Sequence, residues 1–217
     1  MKYHTVIFDL DGTLLNTLDD LHASVNFALA KNGFALRSKE EIRGFLGNGI
    51  RNLVQRSMPE SASEPETDAV FEAFKAHYSI HLEDRTKPYE GIMELLQYLK
   101  EHQVQMAIVS NKADKAVKEL VRKYFRGFIE TAIGEREGVR KKPEPDSVVE
   151  AMRILCAERE SAIYVGDSEV DFATAANAGL DCALVTWGFR QEDFLKSLKP
   201  KYLIHAPGEL TGLLDGE

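Results

Sequence analysis

Phe8-Asp9-Leu10-Asp11-Gly12-Thr13-Leu14 follows directly on the apolar run Val6-Ile7-Phe8, which reads as a buried strand. The strand therefore ends in two carboxylates two positions apart. In an extended segment such residues point to the same side. Two like charges on one side repel, and one is driven towards its neutral form unless a cation sits between them. Asp11-Gly12 alone would read as a turn pair, which leaves Asp9 unexplained.

Outward from this stretch, short β-rich runs recur with helical segments between them. Strands are expected over Tyr3–Phe8, Val104–Ser110, Phe128–Ile133, Ala162–Gly166, Cys182–Thr186 and Tyr202–His205. Helices are expected over Tyr89–Glu101, Asp114–Tyr124, Pro145–Cys156, Glu169–Ala178 and Gln191–Leu198. Alternation of this kind predicts an α/β fold, a doubly wound parallel sheet with helices on both faces. One segment breaks the pattern. Between Asn16 and about Arg85 no strand is expected, while Leu18, Leu21, Val25, Ala28 and Leu29 follow helical spacing and Gly33 reads as a helix stop. Ser38 with Glu41 forms a capping-box pair, and Val70, Phe71, Phe74 and Tyr78 make a third apolar face. So long a helical segment exceeds a crossover. The expected organisation is a core of residues 1–15 and 86–217 interrupted by a helical cap, 16–85.

Composition excludes several classes. The chain has 217 residues, of which 44% are hydrophobic and 29% charged, and a net charge of −8. No basic stripe balances that charge, which argues against nucleic acid as a partner. No apolar run approaches the ~20 residues of a membrane span, and no signal peptide is expected. Cys156 and Cys182, far apart in sequence, fit reduced thiols in a cytoplasmic protein.

Further polar signals fall at the ends of the later strands, where open α/β sheets bind ligands. Ser110-Asn111-Lys112 ends the second strand, and a small hydroxyl with fresh N–H groups there suits phosphate. Lys141-Lys142-Pro143-Glu144-Pro145 places a stiffened lysine before a helix, and Gly166-Asp167-Ser168-Glu169-Val170-Asp171 adds two acids. Taken singly these read as Ser110 capping a helix, Lys142 solvated and Asp167 capping a helix. Together, Asp9, Asp11, Asp167 and Asp171 concentrate negative charge, which a hard cation such as Mg²⁺ relieves. With Lys142 also present, a phosphate dianion becomes a natural ligand. A carboxylate can then attack phosphorus, and a second can protonate the leaving oxygen and later deprotonate water.

Asp9-Leu10-Asp11-Gly12-Thr13, Ser110-Asn111, Lys142-Pro143-Glu144-Pro145 and Gly166-Asp167 through Asp171 resemble the four motifs of the haloacid dehalogenase superfamily, in order. The resemblance implies a Rossmann-like core with a type-1 helical cap that governs substrate specificity. It implies that Asp9 is the nucleophile and a Mg²⁺ ligand, and that Asp11 is the acid/base and binds the metal through its backbone carbonyl. Asp167 becomes a further metal ligand and Asp171 a support to the metal shell, while Ser110, Asn111 and Lys142 hold the phosphoryl group. It also implies neighbouring first and fourth strands. An acid at Asp11 separates the chain from the dehalogenases, which lack it, and from the ion-pumping ATPases, which carry threonine. Gly47-Asn48-Gly49, Pro88-Tyr89-Glu90-Gly91 and Ser110-Asn111-Lys112 resemble phosphoglycolate phosphatases. The expected partner is a small phosphorylated metabolite, handled by a monomer or homodimer. Two alternatives stand beside it: a sugar-phosphate mutase of the β-phosphoglucomutase type, and a non-catalytic regulator on the same fold.

Overall fold

Thr5-Val6-Ile7-Phe8 consists of β-branched and aromatic residues without polar alternation, as a strand covered on both faces requires. These residues form β1, buried along its whole length at the centre of a six-stranded sheet. The computed structural model describes residues 1–216. After β1 come β2 (Leu15–Asn16), α1 (Leu18–Lys31), α2 (Lys39–Phe45), α3 (Ile50–Ser57), α4 (Glu64–His81), β3 (Lys87–Pro88) and α5 (Ile92–Glu101). The chain continues through β4 (Gln105–Ala113), α6 (Asp114–Tyr124), β5 (Thr131–Glu135), α7 (Asp146–Leu155), β6 (Ala162–Gly166) and α8 (Glu169–Ala178). It closes with β7 (Asp181–Val185), α9 (Glu192–Ser197), β8 (Tyr202–Ile204) and α10 (Glu209–Asp215).

The sheet order is β5-β4-β1-β6-β7-β8, with every pairing parallel. The strand order reverses at β1. At such a reversal an open α/β sheet binds its ligands beyond the C-terminal ends of the strands. The fold is the expected doubly wound α/β core. Phe8 lies level with Ile108 on one side and Val165 on the other, so the strand ending in Gly166 is the neighbour of β1. Ile7, Val109, Tyr164 and Leu184 are buried at the centre of the core with Val148 and Ala151 of α7 and Ala175 of α8.

The chain divides into two compact units, Met1–Leu15 with Pro88–Glu217, and Asn16–Lys87. The second is built from α1–α4. Its core includes Leu21, Val25 and Leu29 of α1, Ile42 of α2, Leu53 and Val54 of α3, and Val70 and Phe74 of α4. Ser38 and Glu41 cap α2 reciprocally, as expected. Asp20, itself buried, accepts the N–H groups of Arg85 and Thr86 and the Thr86 hydroxyl, tying the end of this unit to its first helix. Arg51 is paired with Asp68 at 2.6 Å. Among the described residues no helix is long and apolar enough to cross a membrane.

Several boundaries differ from expectation for local reasons. The strand expected over Phe128–Ile133 begins only at Thr131, because Phe128 and Ile129 close a turn onto the Phe125 carbonyl. The strand expected to end at Ser110 runs on to Ala113. Ser110 therefore caps no helix, since α6 starts at Asp114. Asp167 caps none either: Ser168 does, in a reciprocal capping box with Asp171. Helix α3 has no counterpart among the expected helices; Gly49 is its N-cap residue, so Gly47-Asn48-Gly49 forms a turn between helices. Helix α10 is likewise additional.

Candidate active site

Strand β1 stops at Phe8, and the Asp9 N–H donates to the Val165 carbonyl at 2.9 Å. The chain then turns. Leu14 and Leu15 both donate to the Leu10 carbonyl, and Gly12 adopts φ +95°, a conformation a side chain would strain. Asp9 and Asp11 are thus not two positions of one strand face, which corrects the premise from which their pairing was read. Their carboxylates stay near enough to repel, yet each meets its own lysine.

Asp9 Oδ1 accepts from Lys142 Nζ at 2.7 Å. The same ammonium donates to Asp171 Oδ1 at 2.7 Å and to the Tyr164 hydroxyl at 3.0 Å, so its three protons meet three acceptors. All four groups are buried. Asp11 Oδ1 accepts from Lys112 Nζ at 2.8 Å. Sequence reasoning gives Lys112 no role of its own, although a signal for one exists. That signal is its place in the polar run Ser110-Asn111-Lys112 after an apolar strand, where both Ser110 and Lys112 are buried. Ser110 Oγ accepts the Lys112 N–H at 3.2 Å.

Asn111 holds the Lys142 backbone in place. Its Nδ2 donates to the Lys142 carbonyl at 3.1 Å, and its Oδ1 accepts the Lys142 N–H at 2.9 Å. Asp171 is equally committed: its Oδ2 accepts from Ser168 Oγ at 2.6 Å and from the N–H groups of Ser168 and Asp167 at 3.1 and 3.2 Å. Tyr164 and the turn Trp187–Arg190, whose Phe189 N–H donates to Asp167, touch these residues and are missed by sequence reasoning. A tyrosine within an apolar strand reads as core until a buried ammonium is known to face it.

The electrostatics follow from burial. Burial opposes charge on Lys142, but Asp171 and Asp9 outweigh it and hold its pKa well above the usual lysine range. Burial likewise acts against Asp171, yet Lys142 and the Ser168 hydroxyl keep it below the usual range. Asp9 loses that competition: burial, with Asp171 and Asp11 nearby, pushes it up to about 7 despite Lys142. Asp167 is driven well above normal by burial, then by Asp171 and Asp9. Asp9, Asp167 and Asp171 each offer an oxygen within 4.8 Å of the others. Asp9 and Asp171 share one ammonium and Asp167 adds a third carboxylate, which leaves excess negative charge, and such a donor set fits Mg²⁺.

A stability prediction arises here. Asp9 titrates near 7 when folded and near its ordinary 3.8 when unfolded. Between those values the folded metal-free protein binds the extra proton, so stability falls as pH rises from about 4 to about 7 and the penalty is complete above that. Asp9→Asn removes the penalty. The metal-free variant should melt about 10 °C above wild type at pH 8, on a scale of ~2–4 °C per kcal/mol for this size. The difference should shrink at pH 5. A variant melting below wild type at pH 8 would refute the electrostatic account.

Residues 6–185 match the model of the family described as haloacid dehalogenase-like hydrolase. The chain is 34% identical over 215 residues to a phosphoglycolate phosphatase of Rhodobacter capsulatus, covering 97% of this chain and 96% of that one. It is 35% identical over 190 residues to phosphoglycolate phosphatase 1 of Pseudomonas aeruginosa, covering 85% and 70% respectively. A crystal structure of a candidate phosphoglycolate phosphatase from Lactobacillus delbrueckii subsp. bulgaricus superposes with a TM-score of 0.94 at 33% identity, over 99% of both chains. The matched region includes all four of the motifs whose side chains meet at the end of β1, and the chain belongs to the haloacid dehalogenase-like hydrolases.

Proposed function

We propose that the chain is a Mg²⁺-dependent phosphatase that hydrolyses a small phosphate monoester through an aspartyl-phosphate on Asp9, with 2-phosphoglycolate as substrate. The observation that carries this reading is the Lys142 ammonium held 2.7 Å from Asp9 Oδ1. It sets a phosphate-neutralising cation beside a carboxylate nucleophile, with a second acid one turn away. The relatives named phosphoglycolate phosphatases support the choice of substrate.

In the first step an Asp9 oxygen bonds to phosphorus as the ester P–O bond breaks, and Asp11 gives its proton to the departing alkoxide. In the second, Asp11 takes a proton from water, which attacks the aspartyl-phosphate; inorganic phosphate leaves and Asp9 is restored. Lys112 keeps the Asp11 carboxyl at its post. Ser110 and Lys142 bind the phosphoryl oxygens, and Asn111 acts through the Lys142 backbone. Asp9, Asp167 and the Asp11 carbonyl would hold Mg²⁺, which when bound would neutralise phosphoryl charge. Asp171 steadies Lys142 and the start of α8. The helical unit Asn16–Lys87 is assigned the recognition of the rest of the substrate, through the turn Gly47-Asn48-Gly49.

A panel of phosphoglycolate, sugar phosphates, pyrophosphate and nucleotides tests this reading. Phosphoglycolate should give the highest kcat/KM, activity should vanish on chelation, and Ca²⁺ should inhibit because it draws extra carboxylate oxygens onto itself. Full turnover after complete chelation would remove the metal from the reaction. A sugar phosphate isomerised without release of inorganic phosphate would make the protein a mutase.

A further inference from the structure

The turn after β7, Thr186–Arg190, lies outside the four motifs, yet it touches them at several points. Trp187 Nε1 donates to the Thr13 carbonyl at 3.0 Å, gripping the turn that carries Asp11 and Gly12. The Phe189 N–H donates to Asp167 Oδ2 at 2.6 Å. Gly188 lies so close behind that a methyl group there would stand 2.5 Å from Asp167 Oδ2 and 2.6 Å from the Gly12 carbonyl. From the opposite side a methyl on Gly12 would meet Asp167 Cγ at 2.8 Å. Arg190 closes the turn with a two-pronged pair to Glu169, Nε to Oε2 at 2.6 Å and Nη2 to Oε1 at 2.8 Å. Glu169 is the first residue of α8, two positions after Asp167.

One oxygen of Asp167 is therefore walled in by two glycine backbones and bonded to an amide. We infer that the Trp187–Arg190 turn, locked by the Arg190–Glu169 pair, makes Asp167 a single-oxygen donor through Oδ1 and so selects Mg²⁺ over Ca²⁺. Mg²⁺ demands a near-ideal octahedron of short bonds, whereas Ca²⁺ accepts longer bonds and both oxygens of one carboxylate. An enclosed Oδ2 withholds the second oxygen that Ca²⁺ would use. Arg190 and Glu169 are positioning residues, acting on the metal site through the backbone of the turn, and the Arg190 guanidinium also lies near enough to feel the Asp167 charge. The inference rests on the reading of Asp167 as a metal ligand given above.

The test titrates metal-free wild type, Arg190→Ala, Glu169→Gln and the double variant with Mg²⁺ and with Ca²⁺. Calorimetry reads affinity directly. Trp187 is the chain's only tryptophan, and its bond to Thr13 makes its fluorescence an independent reading of the same event. Each single variant should bind Mg²⁺ about tenfold more weakly, the scale of losses from residues that orient a metal ligand. Ca²⁺ affinity should hold or rise, because a released Oδ2 offers Ca²⁺ the second oxygen it accepts. The double variant should lose no more than either single, since both remove the same pair. Arg190→Lys should recover only part of the loss, as it keeps the charge without the fork. If Arg190→Ala does not fold, Glu169→Gln decides the same point. Equal weakening towards both metals, or none towards either, in folded variants overturns the inference while leaving the metal reading intact. Failure of wild type to bind Mg²⁺ overturns both.

Discussion

Asp9→Ala should abolish phosphoryl transfer from every phosphate ester, whatever its leaving group, whereas Asp11→Ala should still accept one phosphoryl group from an activated ester. This contrast is the expected result of giving the two acids different work. Without Asp9 there is no covalent route, and the loss should exceed about 10⁴-fold, the scale of removing a nucleophile. The proposed work of Asp11, a proton given to the alkoxide and later one taken from water, is worth about 10²–10⁴-fold for each step. An acidic leaving group such as p-nitrophenolate departs without that proton. Asp11→Ala should thus release one equivalent of nitrophenolate in a burst and then stall. Rapid acid quench and mass analysis should find the phosphoryl group on Asp9. The structure adds that the two carboxylates are held by separate lysines, Asp9 by Lys142 and Asp11 by Lys112, so each can be removed without discharging the other's partner. If Asp11→Ala yields neither burst nor phosphorylated Asp9, the division of labour fails and water attacks phosphorus directly.

The second large effect concerns Lys142. Its ammonium is buried and bridges Asp9 and Asp171 at 2.7 Å each. Lys142→Met leaves both carboxylates in a dry site without their cation. Breaking a buried pair from one side costs about 3–5 kcal/mol, or about 10 °C in melting temperature for a chain of this size. Activity should fall below detection, and inorganic phosphate should no longer protect the protein against heating. Because one nitrogen serves three acceptors, including the Tyr164 hydroxyl at 3.0 Å, the planar guanidinium of Lys142→Arg should not restore function. A Lys142→Met protein that melts with wild type would show that the bridge contributes nothing to the fold.

Both predictions use residues that stand out in the amino-acid sequence, and the reason is physical. Asp9, Asp11, Ser110, Lys142, Asp167 and Asp171 are polar residues close to apolar strands, where burial would be costly without a purpose. The alternation of strands and helices and the helical spacing through Leu18–Leu29 are equally legible, because they are short-range periodicities set by the backbone. Boundaries are less so. Phe128 and Ile129 look like strand residues, yet a local turn claims them. Strand β4 overruns its expected end because its pairing with β5 resumes at Ala113.

What only the tertiary structure decided is how the acids are partnered. Sequence spacing put Asp9 and Asp11 on one face of a strand, but the strand stops at Phe8 and the two acids pair with different lysines, while Asp167 and the Phe189 ring leave no room for a side chain at Gly12. Tyr164 and the Trp187–Arg190 turn lie far along the chain from the acids of the first motif, and no local pattern marks them. A hydrogen bond or an ion pair depends on distance in space, whereas propensity and periodicity are written along the chain. The sequence by itself therefore determined the fold class and the identity of the acids. The packing of β1 between β4 and β6 determined which charge answers which.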